Sequence, residues 1–283
     1  LLATIGLQSQ APMDACTGIT LKSGDGTVVT ARTIEWAESV MNTMYVVVPR
    51  HQELQSLTPS GMDGMKFTTK YGFIGLPVEQ KEFPYDPSQK ERSLADFQLV
   101  SYVLGECGNV NEVKEKLQNI RVTNIDPRSS TVHWRFTEPS GRQIVLEIVD
   151  EIMHFYENPL GVLTNSPGLE WHWTNLNNYI NLQPGTPPEH NYGPLQMKSF
   201  GHGAGLLGLP GDFTPPSRFV RATFFQLTAP QQASAQESIF QAFHILNNFD
   251  IPTGTEQPWG KASADVPSAT QFTVATDTQN CII

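Results

Sequence analysis

Two periodicities alternate along the chain. In the first third, short runs alternate apolar and polar residues or concentrate β-branched ones, as strands do. Gly18-Ile19-Thr20-Leu21 and the run from Val28 to Trp36 flank Lys22-Ser23-Gly24-Asp25-Gly26, a turn sequence. Thr43 to Val48 is β-branched and aromatic and stops at Pro49, and Lys66 to Phe73 alternates like one half-buried strand. Glu79 to Gln89, polar with two prolines, reads as loop.

A helical period follows. Ser93 is placed to cap a helix carrying Leu94, Phe97, Val100 and Leu104, ending near Gly105 and Gly108. Asn109 to Ile120 predicts a second helix with Val113 and Leu117 on its core face. We assign both to packing. Strands return at Thr131 to Phe136, Gln143 to Val149 and Ile152 to Tyr156, with a turn at Pro139-Ser140-Gly141, an antiparallel meander. Gly161 to Thr164 runs into Asn165-Ser166-Pro167. Trp171 to Leu182 predicts a short helix and Gln183 to Phe213 a Gly- and Pro-rich loop. Ser217 to Leu227, Gln236 to Asn247 and Gln271 to Ala275 read as helix, helix and strand. No composition shift divides the chain, so the reading is one layered α+β domain over residues 16–283.

Composition narrows the function. A net charge of −10 argues against nucleic acid or an anionic membrane, both of which want basic patches. No apolar run approaches the roughly 20 residues of a membrane span. Cys16, Cys107 and Cys281 are too few for a disulfide framework, and no spacing suggests a metal. No cofactor is expected. Gly203-Ala204-Gly205-Leu206-Leu207-Gly208 matches a dinucleotide fingerprint, but Gln196 to Phe200 is a poor strand before it, and Pro210 and Gly211 stop a helix after it. The seven histidines come with no local cysteine-protease signature.

The chemistry gathers at Cys16. Leu1 to Leu7 reads as the end of an apolar signal core, Gln8 to Asp14 as a polar spacer and Ala15 as a small residue at a cleavage site, so residues 1–15 are expected to be a signal or pro-peptide remnant. An ordinary flexible tail is the alternative. Cutting Ala15–Cys16 would give Cys16 a free α-amine of pKa about 7.7–8.0, near working pH and within reach of its own thiol. Arg32 would favour the thiolate and Glu35 could hold the amine. By local pattern alone, a strand cysteine is as a rule a small buried core residue.

Five stretches stand in order along the chain: Ala15-Cys16-Thr17-Gly18 through Thr30 to Trp36, Asn158 to Pro167 with Leu176 to Tyr179, Leu209 to Arg221, Ala242 to Pro252, and Thr270 to Ala275. Together they resemble the choloylglycine hydrolases, N-terminal-nucleophile amidases that include bile salt hydrolases and penicillin V acylases. The resemblance implies a four-layer αββα sandwich of antiparallel sheets and no cofactor. It implies that Cys16 is nucleophile and base, that Arg32 flanks the thiol, and that Glu35, where the family more often has aspartate, binds the amine. Asn165 would donate to the oxyanion and Arg218 would steady the charges; Ser166 and Arg221 are read as structural. The expected product is an amidase for a small hydrophobic acyl amide of the penicillin V or acyl-homoserine-lactone type. The alternatives are a bile salt hydrolase, an unprocessed precursor and a non-catalytic protein of the same fold. Ile34, Trp36 and Phe73 are candidates for the acyl pocket, with plain core packing as the alternative. The resemblance further implies a homotetramer and a periplasmic or secreted location. It also implies about two dozen more residues between Leu76 and Pro77, either skipped in the recorded sequence, the favoured reading, or deleted, and closing strands beyond Ile283.

Overall fold

A computed structural model describes residues 2–6, 16–36, 46–75, 85–123, 133–150, 152–256, 269–280 and 282. Strand β1 (Leu2–Gly6) comes first, then β2 (Gly18–Lys22) and β3 (Val28–Trp36) around the tight turn the sequence predicts. Four short strands follow, β4 (Val46–Val48), β5 (Glu53–Gln55), β6 (Lys66–Thr68) and β7 (Phe73–Gly75). Next come β8 (Ser93–Ala95), α1 (Leu99–Glu106), α2 (Val110–Leu117) and β9 (Arg121–Thr123). The meander is β10 (His133–Thr137), β11 (Gln143–Val149) and β12 (Ile152–Glu157), followed by α3 (Leu169–Asn175). A small hairpin of β13 (His190–Tyr192) and β14 (Leu195–Met197) precedes α4 (Pro215–Thr228), α5 (Ala235–Leu246) and β15 (Ala269–Asp277).

Two antiparallel sheets form the middle of the molecule, one in the order β1-β10-β11-β12 and one in the order β15-β3-β2. Every residue of β10 is buried. A strand alternates its side chains between two faces, so β10 must be covered on both. On one face Trp134 and Phe136 join Leu99, Val103, Val113 and Leu117 of α1 and α2. On the other, Arg135 reaches Thr20 of β2 and the carbonyl of Gly161. The outer face of the second sheet packs Ile19, Val29 and Ala31 against Phe219 and Ala222 of α4 and Ala242, Ile245 and Leu246 of α5. The architecture is the αββα sandwich. Each fully buried Leu or Phe in these layers contributes roughly 1.5–3 kcal/mol.

Local chemistry sets the helix starts. Asn109 accepts from the Asn111 and Glu112 amides at the head of α2, and Ser234 with Glu237 forms a reciprocal capping box on α5. Pro215 opens α4, where its missing N–H would have had no helical partner.

Two sequence expectations are corrected. Ser93 does not cap a helix: Ser93–Ala95 is an extended strand paired parallel with Arg121–Thr123, and the helix begins at Leu99. Full burial of Leu94 and Ala95, with Ser56 Oγ accepting from the Ala95 amide at 2.8 Å, outweighs the helical spacing. The Lys66–Phe73 run is two strands, because Lys70 and Tyr71 both donate to the Gly105 carbonyl and break the ladder. Lys66–Thr68 then pairs with Glu53–Gln55, and Phe73–Gly75 with Val46–Val48. Residues 2–6, read from the sequence as the end of a signal core, pair as an edge strand with β10. Ala15, the Leu76–Pro77 junction and Cys281 lie outside the described residues.

Candidate active site

Cys16 sits immediately ahead of β2, and backbone pairing decides what surrounds it. The Thr17 amide donates to Thr33 Oγ1 at 3.1 Å, and the Thr33 amide donates to the Thr17 carbonyl at 3.0 Å, fixing the segment at Cys16 against β3. Gly18 and Leu163 exchange backbone hydrogen bonds at 2.8 and 3.0 Å, which draws the loop after β12 against the same strand. Asn158 shapes that loop, donating to the Val162 carbonyl and accepting from the Gly161 amide. Asn165 is thereby carried to Cys16, whose amide donates to Asn165 Oδ1 at 2.9 Å.

Arg218, on the first turns of α4, ties the site together. Its Nη1 donates to the Cys16 carbonyl at 2.6 Å and to Thr17 Oγ1 at 2.9 Å. Nη2 donates to Asn165 Oδ1 at 2.8 Å and Nε to the Phe213 carbonyl at 2.7 Å. Two donors on Oδ1 establish which end of the Asn165 amide is which: Nδ2 is its donor end. Asp212 supports the entry to α4, accepting from Ser217 Oγ at 2.6 Å and from the Thr214 amide and hydroxyl. Arg221 donates to the Pro210 and Asp212 carbonyls and lies over the Phe249 ring, a packing role.

The thiol is buried, and burial pushes its pKa up. The Arg32 charge opposes that rise, and the Arg32 guanidinium and the Glu35 backbone amide both hydrogen-bond the sulfur. Glu35 is itself 1 % exposed. Its Oε1 accepts from Thr270 Oγ1 at 2.9 Å, while Oε2 has no partner among the described residues. Burial lifts its pKa to about 7 against the pull of Arg218, Thr33, Thr270 and Arg32. A carboxylate oxygen buried without a donor is expensive, and a nearby ammonium would relieve it.

Behind Asn165 lies a second polar layer. His172 of α3 bonds the Asn165 carbonyl through Nε2 at 2.8 Å and stacks on Phe219, ring centroids 4.5 Å apart. Burial lowers the His172 pKa to about 4, so the ring is neutral at physiological pH. Glu147 accepts from the Leu169 amide at 2.8 Å and from His133, anchoring the far end of the Asn165 loop. Gly168 has no room for a side chain there, since a Cβ would lie 2.9 Å from Glu147 Oε2.

The five residues read as catalytic therefore meet around one backbone junction. Ile34 is buried on β3 opposite Phe272, and Trp36 ends β3 opposite Ala269. Phe73 is half-buried over α1, its Cε1 3.6 Å from the position a Gly105 side chain would take. Sequence reasoning missed Thr17, Thr33 and Thr270, which carry no signal beyond strand propensity, and His172 and Glu147. Arg135 did leave one, a guanidinium in the middle of a β run. Among the described residues no group of His, Cys, Asp and Glu could hold a metal ion, and no helix is long and apolar enough to cross a membrane.

Residues 78–282 match the family model for linear amide C–N hydrolases of the choloylglycine hydrolase family. The chain belongs to the choloylglycine hydrolase family. It is a hydrolase acting on linear amide C–N bonds. A bile salt hydrolase/transferase from Clostridium perfringens is 30 % identical over 269 residues, covering 85 % of this chain and 80 % of that protein. One from Lactiplantibacillus plantarum is 31 % identical over 267 residues, covering 84 % and 80 %. A crystal structure of a variant of the conjugated bile acid hydrolase from Clostridium perfringens superposes with a TM-score of 0.78 at 28 % identity, covering 93 % of this chain and 87 % of that one. Penicillin V acylase from Agrobacterium tumefaciens shares the fold, with a TM-score of 0.70 at 20 % identity and coverage of 93 % and 80 %.

Proposed function

We propose that Cys16, once the residues ahead of it are removed, cleaves the amide of a small substrate with a hydrophobic or aromatic acyl group. The observation that carries this reading is the junction at Cys16, with its amide nitrogen on Asn165, its carbonyl on Arg218 and its thiol on Arg32 and the Glu35 amide. Its nitrogen would become a free amine beside Asn165, and Glu35 is the carboxylate we assign to hold it. As the sulfur attacks the amide carbon, the amine takes the thiol proton. The tetrahedral oxyanion accepts from Asn165 Nδ2, a contact of a kind that contributes roughly 3–4 kcal/mol. The ammonium then protonates the leaving nitrogen, the C–N bond breaks, and a thioester remains. Water, deprotonated by the same amine, attacks the thioester, releases the acid and restores the thiol.

On the acyl group, penicillin V and acyl-homoserine-lactone amides are the first reading, with Ile34, Trp36 and Phe73 as pocket candidates. The second is glycine or taurine conjugates of bile acids, favoured by the names of the relatives at 30 % and 31 % identity. The test is N-terminal sequencing of the purified protein, then product release from phenoxyacetyl, long-chain acyl-lactone and conjugated bile acid substrates. A chain beginning at Cys16 that turns over one class supports the reading. Release of none by such a chain rejects it.

Two further properties belong to the same proposal. Signal-like residues 1–15 support a periplasmic or secreted enzyme; fractionation of the producing cells tests it. Tyr192, Leu195 and Phe200 on the arm after α3, with Ile180 and Leu207 at its base, are exposed, which supports self-association as a homotetramer. Light scattering on the eluting protein tests that.

A further inference from the structure

Arg135 lies on β10 with its side chain between the two sheets, fully buried. Its Nη1 donates to the Gly161 carbonyl at 2.8 Å and makes a long contact of 3.5 Å to Thr20 Oγ1. Its Nε and Nη2 have no hydrogen-bond partner among the described residues. Buried polar groups are satisfied as a rule, and one that is not calls for an explanation. The explanation lies in what the guanidinium covers.

Gly18 opens β2 two residues beyond Cys16. A Cβ on Gly18 would stand 3.0 Å from Arg135 Nη2 and 3.2 Å from Cζ. The missing side chain is the space the guanidinium fills. Gly18 pairs across the ladder with Arg32, and the Arg32 charge bears directly on Arg135. Two cations therefore stand close together at Gly18, with Arg32 the one that meets the thiol. Arg32's other contact is a 3.4 Å bond from Nε to the Thr33 carbonyl. The charged groups that face the thiol are Arg32 and Glu35 from β3 and Arg218 from α4.

We infer that Arg135 is a positioning residue for the nucleophile: its guanidinium, seated over Gly18 and beside Arg32, holds Arg32 toward the Cys16 sulfur by like-charge repulsion. Arg135 touches neither sulfur nor substrate. It acts through Arg32. The two unpartnered donors fit this role, since a carboxylate paired with Arg135 would cancel the charge that bears on Arg32. Burial and Arg32 lower the Arg135 pKa to about 9, so the charge is present at neutral pH. Arg32 hydrogen-bonds the sulfur, so a loosened Arg32 should move the thiol by about half a unit to one unit, the scale of one charge several ångströms off at a dielectric between that of the protein surface and water.

The inference rests on Cys16 being the nucleophile, but its test reads the thiol directly, so the two can fail separately. The rate of iodoacetamide alkylation at Cys16 is followed against pH by mass spectrometry of the Cys16 peptide, in the full chain. Arg135→Gln and Arg135→Met should raise the alkylation midpoint by about half a unit or more and slow alkylation at pH 7 about threefold or more, the same shift read below the midpoint. Arg135→Lys, which keeps the charge, should stay near the wild-type midpoint. A folded Gln or Met variant with the wild-type midpoint overturns the inference. So does failure of both uncharged variants to fold when the Lys variant folds, because the charge would then serve stability alone.

Discussion

The amide of Cys16 donates to Oδ1 of Asn165 at 2.9 Å, across 149 positions of sequence. This bond joins the first strand of one sheet to the loop that leaves the other. It makes the position of Cys16 depend on Asn165, the residue proposed to stabilise the oxyanion.

Asn165→Ala should therefore lose both rate and stability. Cys16 and Arg218 would each lose an acceptor in a buried site, costing about 1–3 kcal/mol, and kcat should fall about 10²–10³-fold. Asn165→Asp keeps an acceptor for both donors. It should hold stability within about 1 kcal/mol of wild type while losing most of the rate. Urea unfolding and steady-state kinetics on the two variants separate the roles.

Arg218 spans Cys16, Thr17, Asn165 and Phe213 from within the core. Arg218→Met leaves buried carbonyl and amide oxygens short of a donor and should destabilise by about 3 kcal/mol or more. Arg218→Lys keeps the charge but not the planar fork, and should recover only part of the loss. Chemical denaturation of both variants is the measurement.

Glu35 gives a signed pH dependence. Its pKa in the folded chain, about 7, lies above the ordinary value of 4.5. Between those values the folded state holds the extra proton, so this group's stabilisation is complete below the lower value and is lost as pH rises through about 7. The loss is roughly 3 kcal/mol. Glu35→Gln should remove that slope, with the gap between variant and wild type opening from pH 4.5 to about 7 and then levelling. In a chain beginning at Cys16, the new ammonium should flatten the wild-type curve. Unfolding free energies from pH 4 to 8 decide it.

Glu147 carries the opposite sign. Burial pushes its pKa up, but the His133 hydrogen bond and the Leu169 amide outweigh that and hold it below the usual range. Its contribution is present above the ordinary value of 4.5 and is lost as pH falls further. Glu147→Gln should cost about 1–3 kcal/mol at pH 7 and progressively less in acid. Because Leu169 closes the loop that carries Asn165, kcat should fall as well. Thermal melts and turnover at pH 7 and pH 4 check this.

Legibility in the sequence followed how local each cause was. The β2–β3 turn, the α4 and α5 helices and the β10–β12 meander rest on short-range periods and caps, and all were readable. Ser93 and the Lys66–Phe73 run misled because distant partners decided them: the Arg121–Thr123 strand in one case and the Gly105 carbonyl in the other. Cys16, Arg32 and Glu35 could be proposed from chemistry near one another in the chain. Asn165 and Arg218 carry no chemical mark of their own, and only the likeness of ordered motifs pointed to them.

The sequence by itself determined the strand and helix periods, the acidic surface and the presence of one cysteine behind a small residue, because each depends on side chains within a few positions. Tertiary structure alone decided that Asn165, Arg218 and Glu35 meet at that cysteine, and that Arg135 fills the space over Gly18. The reason is that desolvation and hydrogen-bond geometry are properties of facing layers. No stretch of chain contains both sides of such a contact.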